Sequence, residues 1–305
     1  MDNMKYYPEG TAPSLRKRFY TVSELKAAIK SREIFEGRVV LCDSEHNLHV
    51  DLGGFRGIIP KNEGALGILE KTVRDIALIS KVNRFVCFRI AALHRDEKGT
   101  LIPVLSRRSV QLSCKNEYID KLSQGDVISA RVTRLEGFGA FIDIGAGLNS
   151  LIPIDMLSVS RISHPRERLY EGELIKTVLK KREAHKLTFS MRELLGTWEE
   201  NAAAFNCGDT VTGVARSIES YGVFVELTPN LAGLAETTQS VEEGERVSVL
   251  IKSISPQRLK IKLTIIEGFK EKAPPEELNY YISGGRIDSW HYSPPGAEKQ
   301  IVTEF

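Results

Sequence analysis

Two glycines, Gly125 and Gly208, stand 83 residues apart, and so do the aromatic residues Phe138 and Tyr221. An offset held across half a unit is an internal repeat, and its length is that of a domain rather than of a solenoid turn. Beyond that half the offset falls to 72, from Gly172 to Gly244 and from Lys186 to Arg258, so the later copy lacks about eleven residues of connection. Counting back, Pro60 matches Pro153 and Asp51 matches Asp143, which makes three units on one plan. A chain of 305 residues built this way holds three small cores, not one large one.

Each unit reads as five short strands with a longer connection before the fourth, the pattern of a small closed barrel. In the first they are 37–41, 49–52, 57–60, 84–90 and 101–106. The second has 127–132, 136–145, 150–154, 173–179 and, after a turn at 183–185, 186–190. The expected organisation is an arm and short helix over 1–34, a divergent barrel over 35–106 and a linker helix over 107–124. There follow the best-formed barrel at 125–192, a linker helix at 193–206, a shortened barrel at 207–267 and a tail at 268–305. Thr21-Val22-Ser23-Glu24 is a capping box that opens the first helix. Residues 1–19 lack periodicity and end near the basic run Arg16-Lys17-Arg18, so they read as a flexible arm. The tail is too aromatic for disorder. It either docks on the third barrel, with Gln300–Phe305 as an added edge strand, or presents Tyr280, Trp290 and Tyr292 for stacking.

The stretch Glu136–Gly145 carries the chemistry. Alternation places Phe138, Ala140, Ile142 and Ile144 on one face and Phe141 and Asp143 on the wetter one. Glycines on both sides of Phe138 free its ring from the core as well. Two rings near the outer surface of a short strand form a stacking platform for flat ligands, nucleobases above all. The net charge of +2 supplies no global attraction to nucleic acid, so the cations must be local. Candidates are Arg134, Lys186 and Arg192, with His164, Arg161, Arg166 and Arg168 in the long connection and Lys180-Lys181-Arg182 at a turn.

With this order and spacing, Gly125-Asp126-Val127, Gly137-Phe138-Gly139-Ala140-Phe141, Leu151-Ile152-Pro153, His164-Pro165, Glu171-Gly172-Glu173 and Lys186-Leu187-Thr188-Phe189-Ser190 resemble the S1 RNA-binding domain family of the OB-fold class. The resemblance covers residues 35–266 and is to a short, three-repeat relative of bacterial ribosomal protein S1. It implies an all-β chain of three tandem five-stranded OB-fold barrels joined by short α-helices, followed by an ordered aromatic C-terminal tail. It also implies non-catalytic binding of single-stranded RNA, mRNA above all, in translation on the small ribosomal subunit, with the first barrel as the ribosomal anchor.

The family's platform aromatics fall on Phe138 and Phe141, and on Tyr221 and Phe224 in the third unit. The first unit has His46 and His49 there, a weakened platform. The basic position at the start of the fifth strand falls on Lys186 and Arg258. Pro60, Pro153 and Glu236 occupy a place where many members have histidine, and Glu219, Glu226, Glu236, Glu242 and Glu243 surround the third platform. The alternative is a protein-interaction scaffold, or the targeting subunit of an RNA-processing complex.

No metal, cofactor or catalytic residue is expected. The six histidines lack metal-ligand spacing beyond His46-x-x-His49, and no phosphate-binding or nucleophile motif occurs. Four scattered cysteines, no signal-peptide core and no membrane-length apolar run suit a cytoplasmic monomer without a membrane partner.

Overall fold

The computed structural model describes residues 5–16, 21–183, 186–236 and 241–305. The chain separates into two compact units, Met1–Leu122 with Asp143–Asn149, and Ser123–Ile142 with Ser150–Phe305.

In the first unit, helix α1 (Val22–Ser31) starts from the capping box at Thr21 and stops where Arg32 turns left-handed. Strands β1 (Phe35–Cys42), β2 (Leu48–Asp51) and β3 (Arg56–Ile59) are followed by a short helix α2 (Ile76–Ile79), then β4 (Phe85–Arg95) and β5 (Leu101–Ser106). They close in the order β1-β2-β3-β5-β4, with β3 and β5 parallel. Phe35, Val39, Leu48, Val50, Ile59, Phe88 and Leu105 fill the barrel, with Leu25 of α1 and Leu78 of α2 packed into the same core. Helix α3 (Arg108–Glu117) follows and buries Val110 and Cys114.

The N-terminal segment is no flexible arm where it is described. Glu9 is buried against Arg107, at 2.6 Å and 3.0 Å, and against Lys81 at 3.1 Å. Its backbone N–H donates to Asp143 at 2.7 Å. Burial alone would raise the Glu9 pKa; Arg107 and Lys81 outweigh that and hold it low. Arg16 pairs with Glu36 and stacks over Phe85, 3.9 Å from the ring centre, while Lys17 and Arg18 lie outside the described residues. Asp143 is buried too, not on a wet face: its carboxylate accepts from the backbone of Gly145 and Gly147 as well as Glu9. Alternation places a side chain on a face of its own strand, but it cannot report what later covers that face.

The second unit holds the other two barrels and the tail. Strands β6 (Val127–Glu136), β7 (Gly139–Asp143), β8 (Asn149–Pro153), β9 (Leu174–Glu183) and β10 (Lys186–Ser190) close as β10-β8-β7-β6-β9; the turn residues 184–185 lie outside the described residues. The segment after β10 is not one helix. It is a 3-10 turn over Arg192–Leu194 and a five-residue α4 (Trp198–Ala202), separated by Gly196 at φ +84°. A left-handed residue cannot continue a right-handed helix, and Thr197 caps the new start. The third barrel consists of β11 (Thr210–Glu219), β12 (Gly222–Thr228), β13 (Leu231–Glu236), β14 (Glu245–Ser255) and β15 (Lys260–Lys272), closed as β11-β12-β13-β15-β14. The fold is thus all-β, three tandem OB-fold barrels.

The tail completes the third barrel's core. Trp290 and Tyr292 join Trp198, Val223, Val225 and Ile261 in one apolar cluster, and the Tyr292 hydroxyl donates to the Asn230 carbonyl at 2.6 Å. They are therefore not exposed stacking residues. Val302–Glu304 (β17) pairs with Ser289–His291 (β16), not with a barrel edge. The tail also touches the second barrel: Ile287 donates to the Gly125 carbonyl and Val127 to that of Gly285, both at 3.0 Å.

Candidate nucleic-acid interface

Phe138 sits in the turn ahead of β7 and Phe141 within it. The rings meet edge to face, centroids 5.8 Å apart at 88°, with Phe138 57% exposed and Phe141 half-buried. The third barrel repeats this with Tyr221, 64% exposed, against Phe224 at 6.3 Å and 90°. Each pair hides part of the inner ring and leaves the outer ring in water, a standing cost that a stacked base removes. Local sequence produces this pose. Gly139 and Gly222 start the platform strands, and a Cβ at Gly139 would overlap the Ile152 carbonyl oxygen, so only glycine lets the strands close there.

The first barrel has histidine at the corresponding position. Phe224 lies opposite Leu234, which lies beside Lys262; His49 lies opposite Ile58, which lies beside Val104. His49 thus occupies the place of Phe224. Its Nε2 meets Asp43 at 3.1 Å and its Nδ1 is buried without a hydrogen-bond partner. His46, at φ +64°, faces Asp75 at 3.6 Å.

The same registers correct one assignment. Leu151 lies beside Thr188 and Leu234 beside Lys262, so Lys186 corresponds to Lys260, not to Arg258. The β14–β15 hairpin is two residues longer than its counterpart, which leaves Arg258 in a 3-10 turn, paired with Glu298 at 3.3 Å. Exposed Lys260 and Lys262 hold the strand positions. Repeat spacing alone does not reveal them, because a hairpin insertion leaves no mark in the strand pattern.

Of the other cations, Lys186 is exposed at the start of β10, and exposed Arg134 on β6 is paired with Glu136. Arg192 is turned to Glu193 at 3.3 Å and to the Asp155 carbonyl at 3.4 Å. Lys180 is half-buried between Glu193 and the Phe305 ring. His164 caps the 3-10 turn Pro165–Glu167, its Nδ1 accepting from the Arg166 backbone N–H at 3.1 Å. Arg168 is not available to a ligand: it is buried in a bidentate pair with Glu226, at 2.8 Å and 2.7 Å. Arg216 holds the same carboxylate from the other side at 2.9 Å and 3.1 Å. Burial would raise the Glu226 pKa, yet the two guanidiniums hold it at about 2. Glu226, one of the five glutamates placed around the third platform by the sequence, is sequestered and neutralised by these two arginines.

Residues 121–192 match the family model of the S1 RNA binding domain. The matched stretch is the second of the three closed barrels, so that barrel is similar to the S1 RNA binding domain. The chain as a whole is similar to a small ribosomal subunit protein bS1 homolog of Bacillus cereus, 28% identical over 249 residues, covering 77% of this chain and 63% of the relative. The corresponding homolog of Bacillus subtilis is also 28% identical, over 262 residues, covering 80% and 65%. The matched region thus spans less than two thirds of these relatives' own length. A solved multidomain protein with nucleic acid binding domains, from Streptococcus pneumoniae, aligns over 77% of this chain and 74% of its own, with 14% identity and a TM-score of 0.25. No helix among the described residues is long and apolar enough to cross a membrane.

Proposed function

We propose that this chain binds single-stranded RNA, with mRNA as its ligand in translation on the small ribosomal subunit, and that it does so without catalysis in the cytoplasm. The observation that carries this reading is the pair of edge-to-face aromatic platforms, each with one ring more than half exposed. Stacking of bases on Phe138 and Phe141, and on Tyr221 and Phe224, tolerates any sequence, and cations beside the rings follow the phosphates. In the second barrel these are Arg134 and Lys186, with Arg192 behind them; in the third, Lys260 and Lys262 take over from Arg258. The ribosomal link rests on the similarity to proteins named for the small subunit.

The first barrel has a different role in this reading. Its histidines are engaged by Asp43 and Asp75, while Leu69, Ile76 and Ile79 stand exposed, which favours a protein contact at that barrel. Titration of labelled single-stranded RNA tests the main claim. Phe138→Ala with Phe141→Ala weakens binding by roughly 2–6 kcal/mol if both rings stack. Parent-like affinity in that variant, or equal affinity for a paired duplex, rejects the platform. Co-sedimentation of the full chain with small ribosomal subunits tests the ribosomal part.

A further inference from the structure

The long connection of the second barrel, between β8 and β9, lies on the outer face of the third. Along β12, Val223, Val225 and Leu227 point into the core, which leaves Phe224 and Glu226 side by side on the outside. The connection follows that face. Ser160 donates from its backbone to the Pro229 carbonyl at 3.1 Å and Val159 to the Asn230 side chain at 3.0 Å. Arg168 then closes on Glu226. Glu167 reaches Arg216 at 2.8 Å, and Arg216 is next to Ser217, the cross-strand partner of Phe224. The turn His164–Arg168 is thereby fixed beside the third platform.

Charge bookkeeping in this cluster is simple. Arg168 and Arg216 are matched by Glu226 and Glu167, which leaves Arg161 and Arg166 as the exposed arginines of the turn region, while Asp155, Glu171 and Glu173 stand at the two ends of the connection. Of the carboxylates near the platform, Glu219 is exposed and Glu236 is paired with Lys252 at 3.4 Å. His164 presents Arg166 by capping its turn. On the other side of the platform, Lys260 and Lys262 border β13.

We propose that the second barrel's connection is the phosphate-binding wall of the third barrel's platform, so that Arg161 and Arg166 with Tyr221 and Phe224 make one composite site for single-stranded RNA. The inference rests on the RNA-binding reading above and goes beyond it by assigning these arginines across the barrel boundary. On this view the third barrel's platform is not a unit of binding by itself; it is incomplete without the second barrel's connection.

The test is a mutant cycle in the full chain, with a labelled oligouridylate of about 20 nucleotides, since one such fold covers roughly 4–16. Arg161→Ala with Arg166→Ala is placed in the parent, in Phe138→Ala/Phe141→Ala and in Tyr221→Ala/Phe224→Ala. In the first two backgrounds affinity falls, and the slope of log affinity against log salt drops by about 1.4, at roughly 0.7 per phosphate contact on a single strand. In the Tyr221/Phe224 background the arginine changes cost nothing further. The proposal is overturned if the loss persists there, or if no background shows a loss. Failure of the underlying reading differs: the parent does not bind, or both aromatic variants bind as the parent does. Fluorescence of Trp198 and Trp290, both in the third core, verifies that this barrel stays folded in every variant.

Discussion

Replacing Glu226 by Gln removes one negative charge and almost no volume from a site where two guanidiniums converge. The carboxyl is 5% exposed and is held at about 2 against an ordinary 4.5. At 1.36 kcal/mol per tenfold change in proton affinity, that corresponds to about 3 kcal/mol of stability at neutral pH. Breaking a buried ion pair by removing one partner costs about 3–5 kcal/mol, which agrees. Glu167 remains as an ionised partner of Arg216, but Arg168 keeps only neutral acceptors, the Ser158 hydroxyl and the amide oxygen of the new side chain. The chain's two tryptophans, Trp198 and Trp290, both lie in the third core, so their fluorescence follows that barrel. With a urea m-value of roughly 1–3 kcal/mol/M, the fluorescence midpoint falls by at least about 1 M in Glu226→Gln. The sign with pH is definite. Because the folded pKa is depressed, the contribution is complete above about 4.5 and is lost as pH falls toward 2, so parent and variant converge in acid. An unchanged midpoint at neutral pH, or a gap between the two that stays constant down to acid, refutes the argument.

Three further outcomes are expected. Glu9→Gln leaves Arg107 buried with a diminished partner and costs the first unit about 3–5 kcal/mol. The loss is read as a lowered circular-dichroism transition that the tryptophan signal does not follow. Tyr292→Phe strips one buried hydrogen bond, to the Asn230 carbonyl, and destabilises the third barrel by about 1–3 kcal/mol in the same fluorescence assay, whereas Tyr292→Ala adds a cavity and costs about 3–5 kcal/mol.

Much of the candidate site was legible before any coordinates. Phe138, Phe141, Tyr221 and Phe224 stand out because ring, glycine and alternation are properties of a few neighbouring residues. The cations were less legible. Arg168 and Arg166 are two residues apart in one basic connection, yet one is buried under Glu226 and the other exposed. Repeat spacing points to Arg258, whereas the structure puts Lys260 at that strand position, because a two-residue hairpin insertion shifts register without altering composition. Trp290 and Tyr292 look like exposed stacking residues in a tail and are core residues of a barrel whose last strand ends at Lys272.

By itself the sequence determined the number of barrels, the number of strands in each and the aromatic residues of the two platforms, because periodicity, turn glycines and repeat spacing act over a few residues to a few tens. Tertiary structure alone decided which charges are spent inside the protein: Glu9 on Arg107, Glu226 on Arg168 and Arg216, Glu193 on Arg192. Those pairings depend on which distant segments exclude water together. Burial makes an ion pair obligatory where solvent would leave it optional, and burial belongs to the assembled fold.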